Sequence, residues 1–306
     1  MNRSVSIITV NYNQAQVTRE LLQSIERLGL ANLEVIVVDN ASEINPISDL
    51  QDGFPWVKAI RSNQNLGFAG GNNLGIKYAT GNYLFFLNND TEVPEGTIED
   101  LASVLDSNLE AGVVNPLIYY YDQPDVVQFA GYTLINGLTG RNEAIGYGQK
   151  LKPCDEVIET PYAHGAAMMV RREVIEDVGG MPENYFLYYE ELDWGQQIRN
   201  AGYKMCVSHR SKILHKESIS TGKDSPLKTY FQTRNRLLFM RRNYEGFSLL
   251  LFFVFFGLLA IPKSIFKFIR AKEWQHLRSF QAGVKWNLFN DRQSNQIGYI
   301  YDGLRD

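Results

Sequence analysis

Residues 83–96 read YLFFLNNDTEVPEG, and the reading of this stretch decides the fold. Five aromatic and apolar residues stop abruptly at Asn88-Asn89-Asp90. Asn and Asp initiate turns, so one such ending calls for nothing more than a turn. The pattern recurs, however. LEVIVVDNAS (33–42) is a continuous apolar run that stops at Asp39, and KMCVSHRSKILH (204–215) is a β-like run that stops at His215. VSIITVNYN (5–13) and WVKAIRS (56–62) are further β-rich segments. Helical patterns separate them at QVTRELLQSIERLG (16–29), NNLGIKYATG (72–81) and EGTIEDLASVLDSN (95–108). Strands alternating with helices of this length predict an α/β fold with a mostly parallel, Rossmann-like sheet. Unbroken apolar strands predict a sheet covered on both faces. Such open sheets bind ligands outside the carboxyl ends of their strands, where Asp39, Asp90 and His215 fall together. Three polar strand ends on one edge predict a site.

The 306 residues are 44% hydrophobic and 21% charged, enough for one large core or two smaller ones. MNRSVSIITVNYN lacks the long apolar core and cleavage site of a secretory signal. Two cysteines, Cys154 and Cys206, indicate neither a disulfide framework nor a Cys-based zinc site, so a reducing cytoplasm is expected. Charge is unevenly spread. Residues 1–227 hold 17 Lys/Arg against 29 Asp/Glu, a net of −12, whereas residues 228–292 hold 12 against 3, a net of +9. The C-terminal quarter is therefore expected to meet something anionic. Residues 113–163 mix short β-like pieces such as VVQFAGYTL (126–134) with Gly-rich connectors, and predict an irregular excursion over the site.

Two stretches carry candidate chemistry. In NQNLGFAGGNNLG (63–75) the glycines let backbone approach a ligand, and the Asn side chains both donate and accept. It lacks the GK[ST] ending of a P-loop, and NYNQAQV after the first strand lacks the glycines of a dinucleotide fingerprint. In FLYYEELDWGQQIRNAGY (186–203), Glu190, Glu191 and Asp193 open a helix, a placement that the helix dipole also favours. Glu190 and Asp193 share a face, with Glu191 about 100° away from Glu190. Burial against Tyr188, Tyr189 and Trp194 would raise one of these carboxyls towards a useful base. His164 and Gly165, in YAHGAAMMVRR, are candidates to line or support the same site, as are Glu190, Asp193 and Trp194.

The ordered set VNYN (10–13), VVDNAS (37–42), NLGFAGGNN (65–73), FLNND (86–90), GAAMMVRR (165–172), YYEELDWGQQIR (188–199) and His215 resembles family 2 of the inverting glycosyltransferases, in its bacterial rhamnosyltransferase-like branch. The likeness spans residues 4 to about 242 and implies an A-type glycosyltransferase fold acting on a nucleotide-sugar. Carried over, it implies that Val10, Asn11 and Asp39 contact the donor nucleoside, and that Asn65, Gly67, Asn72 and Asn89 line the nucleotide pocket. Asp90 would end the metal-binding Asp-x-Asp motif and His215 would be the second ligand of Mg²⁺ or Mn²⁺. Glu191 falls at the catalytic-base position. Two departures stand out: Asn88 replaces the first Asp of the motif, and Glu191 replaces the usual Asp. The resemblance implies transfer from a UDP- or dTDP-linked sugar, rhamnose among them, to a saccharide or lipid-linked acceptor in surface-polysaccharide synthesis. A sugar nucleotidyltransferase and a non-catalytic saccharide-binding homologue are the alternative readings.

Residues 1–225 are expected to form the catalytic domain, and 226–306 a helical, basic and apolar extension. FSLLLFFVFFGLLAI (247–261) is nearly unbroken apolar sequence, but it is short for a membrane span and Pro262 follows it. Arg234, Arg236, Arg241 and Arg242 precede it, and Lys263, Lys267, Arg270 and Lys272 follow. Greasy sequence between cations fits peripheral attachment to a membrane surface better than nucleic acid, with a core helix or a homodimer contact as the alternatives.

Overall fold

The computed structural model describes residues 4–30, 32–216 and 225–299. The N-terminal half alternates β1 (Val5–Asn11), α1 (Ala15–Glu26), β2 (Leu33–Asp39), α2 (Ile47–Gly53), β3 (Val57–Arg61), α3 (Gly67–Ile76) and β4 (Tyr83–Leu87). There follow β5 (Thr91–Glu92), α4 (Thr97–Ser107), β6 (Ala111–Tyr120), β7 (Val127–Phe129), β8 (Val157–Thr160), β9 (Ala167–Arg171), α5 (Arg172–Val178), α6 (Glu190–Asn200) and β10 (Lys204–His215). The sheet runs β3-β2-β1-β4-β9-β6-β10-β5, with β7 added beside β6 and β8 beside β10. Its first four strands are parallel, as the alternating pattern predicts. Beyond β4 the sheet is mixed: β9 runs antiparallel to both β4 and β6, while β6 and β10 are parallel. The strand order reverses at β1, which has β2 on one side and β4 on the other. A crevice at that reversal is where open α/β sheets bind ligands.

Neighbouring residues on a strand explain the unbroken apolar runs. Ile7 and Phe85 belong to the core on one face of the sheet, Ile8 and Phe86 to the core on the other, and all four are fully buried. Each such side chain contributes roughly 1.5–3 kcal/mol by leaving water. The Gly-rich stretch is not an open loop but the start of α3. A Cβ on Gly75 would lie 2.4 Å from Ile8 Cγ2, and one on Gly67 would lie 2.2 Å from the Phe186 carbonyl oxygen. These glycines let a helix lie close against β1 and the 186 segment.

Strand β6 lies inside the region expected to be an irregular excursion. Asn115 and Pro116 read as strand breakers. Yet Pro116 sits where the register between β6 and β10 slips, and Asn115 is buried with its amide donating to the His164 and Ala167 carbonyls. The irregular part is confined to the connections around β7 and β8.

The C-terminal helices are α7 (Pro226–Asn243), α8 (Gly246–Phe255), a π-helical turn at Phe256–Ala260, α9 (Ile261–Ala271) and α10 (Trp274–Phe289). Leu237, Leu238, Phe239, Met240, Phe252, Phe280 and Trp286 share one core with Tyr162, Tyr185 and Leu192. Pro262 does not break the helix: Gly246–Ala271 is one 26-residue helical run. Proline sits in the first turn of α9, and the wider π turn precedes it there. Tail residues 300–306, placed in the extension by the sequence, lie outside the described residues.

Candidate active site

A cavity of about 490 Å³ opens at the carboxyl ends of β1 and β4. That is the size of a small-molecule site. Of the donor residues expected from sequence, Val10, Asn65, Gly67 and Asn89 line it, whereas Asn11, Asp39 and Asn72 are buried and do not. Asn11 donates to Asp39 Oδ1 at 2.8 Å, and Arg61 pairs with Asp39 Oδ2 at 2.9 Å. This network fixes the ends of β1 and β2. Asn72 donates to its own helix at Phe68 O. Asn40, quoted in VVDNAS yet not singled out, does line the cavity. Its amide donates to Asn65 Oδ1 and Gly67 O, and its oxygen accepts from Leu66 N. Those bonds tie the end of β2 to the start of α3.

Asp90 and His215 meet in the cavity wall. His215 Nε2 lies 3.1 Å from Asp90 Oδ1, yet that oxygen, which is buried, makes no hydrogen bond. Gln128 Oε1 is 2.7 Å from His215 Nδ1, so the tautomer that donates from Nδ1 to that oxygen leaves a lone pair on Nε2. The Asn88 amide, 3.5 Å from Nε2, faces that lone pair as a donor. Two lone-pair atoms therefore face each other at close range. Ligands about 2.1 Å from an octahedral cation stand about 3 Å apart, so this pair can hold a divalent ion. Asn88 lines the same wall and offers only a neutral amide.

Glu190 and Glu191 open α6, and both line the cavity with His164, Gly165, Tyr132 and Tyr188. Burial, then the neighbouring Glu191 carboxylate, pushes the Glu190 carboxyl far above its ordinary value. Burial also raises Glu191, to about 7. Glu190 Oε2 has no hydrogen-bond partner, as suits a carboxyl kept neutral. The pair thus shares one proton near neutrality, which leaves Glu191 able to accept another from a substrate. His164 stays neutral: burial, and then His215, lowers it to about 3. Its Nδ1 accepts from Ala166 N, and its ring stacks on Tyr132 at 5.9 Å.

Asp193 and Trp194 do not reach the cavity. Asp193 is buried against α7, where Arg242 Nε and the Asn243 amide hold its carboxylate. Trp194 packs edge-on against Phe86 and donates to Gly179 O. Both sit one turn further along α6 than the glutamates, where that side of the helix is covered by α7 and by Phe86 and no longer faces the cavity. Sequence reasoning missed a whole wall from beyond position 225: Leu227, Lys228, Phe231, Gln232, Ile297 and Tyr299 line the cavity too. No local motif marks them, because only the packing of α7 and of the segment after α10 brings them there.

The sheet, the cavity at its strand ends and the C-terminal helices define an A-type glycosyltransferase fold. The crystal structure of GalNAc-T7 with UDP, GalNAc and Mn²⁺ superposes with a TM-score of 0.65 at 15% identity, over 94% of this chain and 56% of that one. The chain belongs to Glycosyl transferase family 2, whose model matches residues 6–179, and the protein is a glycosyltransferase. The low-salt glycan biosynthesis hexosyltransferase Agl10 of Haloferax volcanii is 28% identical, covering 76% of this chain and 74% of its own. The N-acetylglucosaminyl-diphospho-decaprenol L-rhamnosyltransferase of Mycobacterium tuberculosis is 22% identical, covering 80% and 87%.

Proposed function

We propose that the protein transfers a sugar, with inversion, from a UDP- or dTDP-sugar to a hydroxyl of a saccharide or lipid-linked saccharide in surface-polysaccharide synthesis. One observation carries the reading: a raised carboxyl at Glu191 and the facing pair Asp90–His215 line the same cavity. Glu191 takes the proton of the acceptor hydroxyl while that oxygen attacks the anomeric carbon from the face opposite the diphosphate. The bond from that carbon to the diphosphate oxygen breaks, and the nucleoside diphosphate leaves with the electron pair. Asp90 and His215 hold a divalent cation, Mg²⁺ or Mn²⁺, which when bound offsets the charge developing on the leaving group. Lys228, in the first turn of α7, adds a cation to the cavity wall. Val10, Asn40, Asn65 and Gly67 form the side that receives the nucleotide. Rhamnose is favoured by the Mycobacterium relative, and a lipid-linked acceptor by the same printed name. The test is calorimetric titration of UDP, dTDP and GDP with and without Mn²⁺. Metal-dependent binding of UDP or dTDP is expected; absence of binding by all three contradicts the reading.

The lipid-linked acceptor also gives the C-terminal helices a role, as a peripheral anchor on the cytoplasmic face of the membrane. Within the helical run Gly246–Ala271 the most apolar 18-residue window has a mean hydropathy of 2.3, and only 11% of that window is buried. Phe252, Phe256 and Phe268 pack inward, whereas Phe247, Leu258, Leu259 and Phe266 stand more than half exposed. Lys263, Lys267 and Arg270 lie among them on α9. A helix with one face on protein and another of large apolar residues ringed by cations suits an anionic lipid interface. Flotation with vesicles rich in phosphatidylglycerol is expected to carry the protein, less so at high salt, and a Leu258→Asp/Leu259→Asp variant is expected to stay behind. Equal flotation of both proteins, or a wild type that stays in solution as a dimer, contradicts the anchor.

A further inference from the structure

The segment that delivers the two glutamates has an unusual backbone. Phe186, Tyr188 and Tyr189 have φ values of 66°, 68° and 76°, a left-handed region that crowds the Cβ of L-residues. Three of the four residues before Glu190 are of this kind, and none is glycine. Backbone of this kind persists only where its surroundings impose it.

What imposes it comes from α7. Asn235 is fully buried, and the two N–H groups of its amide serve three carbonyls of that segment, one of them shared: Tyr185 O at 3.0 Å, Leu187 O at 2.7 Å and Tyr188 O at 2.8 Å. Arg234, also fully buried, donates to Asn184 O at 2.8 Å and Tyr185 O at 3.3 Å. The same guanidinium donates to Asn235 Oδ1 at 2.6 Å, which orients the amide so that its nitrogen faces the segment. Gln296 O at 3.0 Å and the Trp286 ring, 3.9 Å from the guanidinium carbon, hold Arg234 in turn. On the far side, Phe186 O accepts from Phe68 N, which joins the segment to the start of α3. Two adjacent side chains on one helix thus take up the carbonyls that a left-handed turn leaves pointing away from α6.

We propose that Arg234 and Asn235 are positioning residues for sugar transfer, holding residues 184–188 in the one backbone shape that turns Glu190 and Glu191 into the cavity. The proposal rests on Glu191 being the base. Neither residue lines the cavity, and both lie beyond the stretch matched by the family model. The C-terminal helices are on this account part of the transfer machinery as well as its anchor.

The test uses the full chain and Asn235→Asp, which keeps the size of the side chain and the oxygen facing Arg234 but replaces the shared donor with an acceptor. The donor sugar is the one the wild type turns over in a panel of UDP-, dTDP- and GDP-sugars. Turnover is expected to fall about 100-fold, the scale of a 1 Å misplacement of a reacting group. Affinity for UDP or dTDP with Mn²⁺ should stay within threefold, because Asn40 holds Asn65, Leu66 and Gly67 on the nucleotide side through bonds of its own. Hydrogen exchange should quicken at residues 185–191 while α10 is unchanged. Arg234→Lys, which keeps the charge but cannot span Asn184, Tyr185 and Asn235 together, should show the same split more weakly. Wild-type turnover in a folded Asn235→Asp protein overturns the proposal. So does a joint loss of turnover, nucleotide affinity and exchange protection across α7 and α10, which marks a general fold contact. A wild type that binds no nucleotide contradicts instead the transferase chemistry assigned to the site.

Discussion

Replacing Glu191 with Gln is expected to lower turnover by about 10²–10⁴-fold, the usual contribution of a positioned general base. Gln has the same shape, so the contact with Gly165, where an added Cβ would lie 3.9 Å from Glu191 Cβ, survives. The proton acceptor alone is lost, and nucleotide affinity should hold. In the wild type only the ionised carboxylate is a base. Its value near 7 therefore predicts a rate that rises tenfold per pH unit below about 7 and levels off above. The same shift predicts a stability signature of definite sign. The folded protein holds a proton on Glu191 more tightly than the unfolded chain, so folding loses stability as pH rises from about 4.5 to about 7. Glu191→Gln lacks this loss. Its Tm should match the wild type below that window and exceed it above pH 7. A variant that keeps wild-type turnover, or a Tm difference that ignores pH, removes Glu191 from the role.

Asp90→Ala is expected to cost about 10³-fold in turnover, since charge stabilisation by a metal on a leaving group is worth several kcal/mol. The structure supplies a second readout that needs no activity. Asp90 Oδ1 is buried without a hydrogen bond and lies 3.1 Å from His215 Nε2, a pair of ligand atoms that a cation would satisfy together. Mn²⁺ at about a hundred times its Kd should then stabilise the wild type by about 2.7 kcal/mol. It should leave the Tm of Asp90→Ala and His215→Ala where it was. Gln128→Ala, which frees the ring proton of His215, should weaken Mn²⁺ by about 10–100-fold while leaving both ligands in place. Equal Mn²⁺ stabilisation of wild type and Asp90→Ala would place the ion elsewhere.

The parts of this protein written in local pattern were legible. Strands β1 to β4 could be read from their apolar runs, and Asn89, Asp90 and His215 could be placed at the sheet edge because polar residues end the runs of β4 and β10. Strand β6 was hidden by Asn115 and Pro116, whose breaking tendency is absorbed by a register slip and by two carbonyls far along the chain. Asp193 and Trp194 were grouped with the glutamates because they are near in sequence, whereas one turn further along α6 the helix is already covered by α7 and the core. Pro262 looked like a stop, and a π turn carries the helix past it. The Asn235 clamp was invisible for another reason. A buried Asn that serves three carbonyls has no periodicity or spacing of its own, and only the packing of α7 on residues 184–188 reveals it.

The central claim is most directly tested by incubating the protein with UDP-, dTDP- and GDP-sugars in Mn²⁺, Mg²⁺ or EDTA and following release of the nucleoside diphosphate. Release from one UDP- or dTDP-sugar, absent in EDTA and in Asp90→Ala, is the predicted result. Release that persists undiminished in EDTA and in Asp90→Ala, or no release from any donor with either metal, would contradict the account.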